Sequence, residues 1–170
     1  MEAAVRKTLK TVHMLGLSVF LGSIAVYIAS STQHLEPGTP SFAQLRDQIS
    51  SGTRSLTLPG LLATLASGLG LLWVNRRQLQ RWQIAKAIVG LLLLSNTWLL
   101  VEPAIESAAL LSRVAVFSRA SMGQLALALN TESAAGAVNV ALACLEIWLA
   151  VFRPTLRRRD MGHPNLVARS

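Results

Sequence analysis

Apolar residues are gathered into four long stretches, and the segments between them and at the two ends hold most of the charged residues. A bilayer core about 30 Å thick is crossed by about 20 apolar residues in a helix, and each stretch is close to that length. The pattern therefore predicts four transmembrane helices, at about residues 11–30, 56–74, 84–101 and 134–152. We expect an all-α integral membrane protein, a four-helix bundle in which residues 1–170 form a single transmembrane domain.

Two of the connections between these spans also have helical patterns. In the first, the turn signal at 36–40 is followed by Phe42, Leu45 and Ile49 at helical spacing. The connection at 102–133 is apolar on one face, through Ile105, Ala108, Leu111 and Ala115. We expect it to be a helical extracytoplasmic segment that either extends the third span or lies on the membrane surface.

The distribution of positive charge predicts the orientation of the bundle. Arg46, Arg54, Arg113 and Arg119 are the only lysine or arginine residues in the two longer connections. Eleven others lie at the N-terminus, in the short connection after the second span, or in the tail: Arg6, Lys7, Lys10, Arg76, Arg77, Arg81, Arg153, Arg157, Arg158, Arg159 and Arg169. Because basic residues accumulate on the cytoplasmic side, we expect both termini there, with 153–170 as a basic cytoplasmic tail.

Composition supports a lipid partner and argues against a nucleic-acid one. The chain is 52% hydrophobic and only 14% charged, whereas soluble domains carry about 25% charged residues. The formal net charge of +8 could suggest nucleic acid, but the basic residues flank apolar spans and form no phosphate-binding face. The single cysteine, Cys144, excludes an intramolecular disulfide. It lies in an apolar run and is expected to be buried.

Each span has one face of small and polar residues. Because lipid is itself apolar, the burial of apolar side chains does not drive helices together in a membrane. Interfaces between membrane helices instead use small residues, which permit close approach, and polar residues, which form hydrogen bonds across the interface. The four faces are His13, Gly16, Phe20 and Ser23; Thr57, Gly60, Thr64, Ser67 and Leu71; Lys86, Gly90, Leu93 and Thr97; and Gly136, Asn139, Ala143, Glu146 and Ala150. We expect these faces to meet at the bundle centre, and Asn96 and Asn139 to form hydrogen bonds between helices.

Three ionisable residues, His13, Lys86 and Glu146, lie inside the spans. Each lies about 5–10 Å along its helix from a basic residue of the inner interface, so the three share one depth and are expected to converge. Charged groups at bilayer depth tend to find partners and to mark functional sites. Lys86 and Glu146 are therefore our candidate catalytic residues. Three structural alternatives remain: Lys86 extends to the surface, His13 bonds a backbone carbonyl, or Lys86 and Glu146 form a purely structural pair.

Three short stretches carry a resemblance to known proteins. They are 9–13 with Gly16 and Gly22, the segment from Arg54 through Pro59–Gly60 to 67–69, and 82–86, which ends at Lys86. The chain resembles a group of small bacterial inner-membrane proteins. The group contains the HemJ-type protoporphyrinogen oxidases, the membrane domain of copper-resistance D proteins, and uncharacterised relatives. The resemblance implies an inner-membrane location, haem b as cofactor, His13 as axial ligand of the haem iron, and an electrostatic or ligand role for Lys86.

Three functions follow from these patterns. The first is a haem-associated membrane oxidoreductase that uses His13, Lys86 and Glu146. The second is a non-catalytic membrane subunit or assembly factor, in which the small-residue faces serve packing alone. The third is a small proton-coupled transporter, in which Lys86 and Glu146 relay protons. The expected protein partner is a second copy of the chain or another component of a membrane complex.

Overall fold

The computed structural model describes residues 2–33, 35–76 and 79–152, and this part of the chain contains helices and no strand. The predicted basic tail, 153–170, lies outside the described residues. Six α-helices follow in order: α1 (Glu2–Ser31), α2 (Pro40–Gly52), α3 (Leu58–Val74), α4 (Arg81–Asn96), α5 (Glu102–Ala115) and α6 (Met122–Phe152). A short 3₁₀ turn, Arg119–Ser121, precedes α6. The all-α prediction is confirmed.

Four continuous helices are long and apolar enough to cross a membrane: Ala3–Ser31, Pro40–Val74, Arg81–Ala115 and Arg119–Phe152. This agrees with the number of predicted spans. The second and third helices contain 35 residues each and are about 52 Å long, well beyond a bilayer core of about 30 Å. The predicted spans are their apolar parts. Hydropathy falls where charged residues begin, but the backbone hydrogen bonding of a helix continues past that point.

A π-helical turn joins α2 to α3 at Thr53–Thr57, and another joins α4 to α5 at Thr97–Val101. The N–H groups of Leu58 and Glu102, the residues after the two turns, donate to the carbonyls of Thr53 and Thr97, five positions earlier. Each donor residue is followed by a proline, which lacks an N–H and disrupts the regular ladder. One extra residue per turn is how the helix continues through this position.

The two π turns share a sequence pattern, Ser-x-Thr-x-x-Leu-x-x-Pro, at 51–59 and 95–103. In both, a buried threonine hydroxyl donates to the carbonyl four residues earlier: Thr53 to Ile49 at 2.9 Å, and Thr97 to Leu93 at 2.8 Å. The two copies run in opposite directions, because α2–α3 and α4–α5 are successive antiparallel helices. The same short sequence pattern therefore forms a π turn in both long helices.

The predicted faces meet in the bundle centre, with the exception of Gly136, where an added Cβ would have no atom within 4 Å. Phe20, Leu61, Leu93 and Ala143, one from each predicted span, form a shared buried cluster. Hydrogen bonds also cross between helices, as expected for the two asparagines. The Asn96 Nδ2 group donates to Asn139 Oδ1 at 2.7 Å and to the Ala135 carbonyl at 2.9 Å, and Asn139 Nδ2 donates to Thr97 Oγ1 at 2.8 Å. The prediction for Cys144 is wrong, since this side chain is exposed on the outer surface of α6.

Beyond the end of α1, helices α2 and α5 and the start of α6 form a three-helix segment, which we call the cap. Its centre contains Ala108, Ala115 and Leu125, all buried. This confirms the helical face predicted for the 102–133 connection, which continues the third long helix as α5. The chain then turns at 116–121, so the connection is two antiparallel helices rather than one. A part-buried ion pair between Arg46 of α2 and Glu132 of α6, with side chains 5% and 17% exposed, links the cap across its base.

Candidate functional site

A cavity of about 400 Å³ lies between α1, α3, α4 and α6, at the end of the bundle opposite the cap. Most of its wall is apolar and includes Leu17, Leu21, Leu65, Leu69, Leu72 and Ile147. The ionisable side chains on this wall are His13, Lys86 and Glu146. The structure thus brings the three candidate site residues to one place, from three different helices.

His13 is held against α3 by a backbone hydrogen bond. Its Nδ1 lies 2.8 Å from the carbonyl oxygen of Thr64 and 3.3 Å from the Ser67 hydroxyl. Because a carbonyl oxygen only accepts, Nδ1 carries the proton and Nε2 is the basic nitrogen of the neutral ring. Gly68 makes room for the ring: a Cβ at this position would lie 3.3 Å from His13 Cε1. The backbone hydrogen bond that we considered as an alternative for His13 is therefore present.

Lys86 and Glu146 form an ion pair across α4 and α6, with Nζ 3.5 Å from Oε2. Their side chains are 25% and 20% exposed. Gly90 lies beside the pair: a Cβ there would be 3.4 Å from Glu146 Oε1, an ordinary contact, and 3.2 Å from Leu65 Cδ1. The pairing that depth alone predicted is observed. Lys86 therefore has a partner inside the bundle and does not only extend toward the surface.

Two contributors to the site were not predicted as site residues. Thr64 was expected only to pack, yet its carbonyl oxygen fixes the His13 ring. Gln83 lines the cavity, and its side-chain oxygen accepts from the Gln80 backbone N–H at 2.9 Å, which caps the start of α4. The backbone role of Thr64 has no signature in side-chain type. The spacing of Gln80 and Gln83 is the signal from which the cap could have been found.

The donor set of the cavity limits what it can hold. Among residues 2–33, 35–76 and 79–152, no group of three or more His, Cys, Asp or Glu side chains is placed to bind a metal ion. A haem iron needs only one or two protein ligands, and His13 can supply one. No protein-family model, curated protein or solved structure matches this chain. The cavity therefore presents the His13 ring nitrogen, the Lys86 ammonium and the Glu146 carboxylate within apolar walls.

Proposed function

We propose that this protein is a haem-associated membrane oxidoreductase whose cavity would hold haem b, with His13 as a ligand of the haem iron. One observation carries the proposal: His13 Nδ1 is bound to the Thr64 carbonyl at 2.8 Å on the wall of an apolar cavity. Histidines that bind metals usually donate their other ring N–H to a carbonyl or carboxylate, which orients the ring and makes the ligand nitrogen more basic. His13 has this arrangement.

The cavity also fits the general chemistry of a tetrapyrrole site. Sites for small molecules and cofactors have volumes of about 300–1,000 Å³ and mostly apolar walls with few polar groups. This cavity has about 400 Å³, and its ionisable groups are His13 and the Lys86–Glu146 pair. Bound haem supplies one-electron redox chemistry. In this proposal Glu146 holds or releases a proton, and Lys86 balances the charge of the carboxylate.

The resemblance to HemJ-type enzymes makes a porphyrinogen the first substrate to test. The segregation of basic residues supports placing both termini, and hence the cavity, on the cytoplasmic side of a bacterial inner membrane. In that orientation the cap is extracytoplasmic. The substrate would then reach the cavity from the cytoplasmic leaflet.

The visible spectrum of the protein tests the proposal. The full chain, expressed with ample haem and purified in detergent, is expected to show a Soret band. The variant His13→Ala is expected to reduce haem occupancy by at least about tenfold, since it removes a ligand and not only its support. The matched control is Met122→Leu, which changes a methionine of the cap outside the cavity and keeps His13. A purified chain without a Soret band, or an unchanged band in a folded His13→Ala variant, would contradict the proposal.

A second function, that of a non-catalytic membrane subunit, is supported by the tip of the cap. Phe117, in the turn after α5, is 92% exposed, and Leu110 and Val114 of α5 are more than half exposed. An apolar tip of this kind is typical of a surface that contacts another protein. Recovery of the chain in a larger assembly from mild detergent, with no chromophore, would favour this function over the first. The proton-coupled transporter stays a prediction that rests on Lys86 and Glu146.

A further inference from the structure

A second, polar groove lies between α2 with its π turn and α5, at the cap end of the bundle. It has a volume of about 560 Å³, and its polar wall includes Asp47, Ser51, Arg54, Glu106 and Arg113. It shares no lining residue with the cavity around His13. The function proposed for that cavity makes no use of this groove.

Two arginines face three carboxylates in and beside the groove, because Glu102, which is not on the groove wall, also pairs with Arg54. Arg113 donates through Nε to both carboxylate oxygens of Asp47, at 2.9 and 3.0 Å. Arg54 reaches Glu102 through Nε at 3.0 Å and Glu106 through Nη2 at 2.8 Å. The two arginine side chains are 52% and 59% exposed. A guanidinium has five N–H groups, so each arginine keeps donors for a further ligand.

The first π turn contributes to the wall of this groove, and the second leads to the Glu102 carboxylate beside it. Arg54 and Ser55 belong to the first, and Glu102 directly follows the second. Regular α-helices would present these side chains at other angles, because each π turn contains an extra residue. π turns of this kind occur frequently at functional sites. Here the duplicated turn brings Arg54 to Glu102.

The groove lies at the boundary between polar and apolar surface. Gly52, at its edge on α2, contacts Tyr27 near the end of α1, so the groove is level with the end of the first span. On the turns that follow toward the bundle, Leu62 and Leu99 are 44% and 68% exposed. A ligand in the groove would therefore contact charged groups at the cap end and apolar helix surface on the side toward the bundle.

We propose that the groove binds the headgroup of a zwitterionic aminophospholipid. The phosphate contacts the free N–H donors of Arg54 and Arg113, the ammonium contacts Asp47 and Glu106, and the acyl chains lie along the surface of α3 and α4. A zwitterion is favoured over an anion, because an anionic headgroup would meet the carboxylates and bring no cation to pair with them. A primary ammonium is preferred over a quaternary one because it donates hydrogen bonds to those carboxylates.

Lipid titration of the purified full chain tests this site. Thermal stability and native mass spectrometry would be followed with phosphatidylethanolamine, phosphatidylcholine and phosphatidylglycerol in the same detergent. We expect phosphatidylethanolamine to bind about tenfold more tightly than phosphatidylglycerol, which corresponds to about one charge-assisted hydrogen bond. Asp47→Asn combined with Arg113→Gln removes one charge of each sign and leaves no unpaired partner, and it is expected to abolish this preference.

Two further variants make the result decisive. Ser51→Leu fills the groove without changing any charge and is also expected to weaken phosphatidylethanolamine binding. Arg119→Gln, in the turn before α6 and outside the groove, is the matched control and is expected to keep the preference. Equal binding of all three lipids by the unaltered chain would overturn the proposal. So would an unchanged preference in a folded Ser51→Leu or double variant.

Discussion

Replacing Glu132 with glutamine is expected to lower the free energy of unfolding by about 3–5 kcal/mol, the usual cost of leaving one member of a buried ion pair alone. Arg46 is only 4% exposed, and Glu132 is its ionic partner among the described residues. The Nε of Arg46 is buried and has no hydrogen-bond partner in that part of the chain. Loss of the carboxylate would therefore leave a guanidinium with neither solvent nor counter-charge.

Reversible unfolding of the detergent-solubilised chain measures this effect. Glu106→Gln is the control, because it breaks an ion pair with Arg54 whose side chains are 52% and 47% exposed; a cost below about 1 kcal/mol is expected. Replacing both Arg46 and Glu132 with leucine is expected to restore most of the loss, since buried pairs are often no more stabilising than apolar residues. A similar small cost for Glu132→Gln and Glu106→Gln would contradict the burial argument.

Gly60→Ala is expected to cost about 1–3 kcal/mol, as overpacking of a close contact does. A Cβ at Gly60 would lie 2.9 Å from the backbone nitrogen of Phe20 and 3.1 Å from the carbonyl oxygen of Gly16. These are backbone atoms, so α1 and α3 must move apart before the methyl group fits. The same separation would lengthen the hydrogen bond from His13 to Thr64, and we expect reduced haem retention as well.

The matched control is Gly22→Ala, on α1, where no atom lies within 4 Å of the added Cβ. Unfolding in detergent is expected to show no loss for this variant, because alanine favours the helix and meets nothing. Gly16→Ala should act like Gly60→Ala, since its Cβ would lie 2.9 Å from the Thr64 backbone nitrogen. Equal stability of Gly22→Ala and Gly60→Ala would mean that the two helices do not depend on this contact.

The predictions that succeeded rest on local regularity. Helix period and hydropathy are properties of neighbouring residues, so the four spans and the inward placement of Phe20 and Ser23 follow from the chain alone. The convergence of Lys86 and Glu146 was also predictable, because helix rise converts position in sequence to depth. The helices extend beyond the predicted spans, and 102–133 contains two helices, because hydropathy indicates the apolar part of a helix and not where its hydrogen-bond ladder ends.

The predictions that failed or were not made concern which side of a helix meets which neighbour. Cys144 was expected inside because it is apolar, but an apolar residue in a span can equally face lipid. The pairing of Arg46 with Glu132 joins residues from separate helices, and nothing in their local sequence selects that partner. The two π turns share a sequence pattern, but this pattern is also compatible with a regular α-helix at Thr53 and Thr97, so the turns were not predicted.

The sequence by itself determined the helices, their approximate depths, and the presence of three ionisable groups at one level of the bundle. Only the tertiary structure decided that His13 bonds to the Thr64 carbonyl, that His13, Lys86 and Glu146 line one cavity, and that a polar groove forms at the opposite end. The physical reason is that hydropathy and helix period describe a single helix and do not specify how it faces its neighbours. Rotation of each helix about its axis is determined by contacts such as that between Gly16 and Gly60, which exist only when two helices meet.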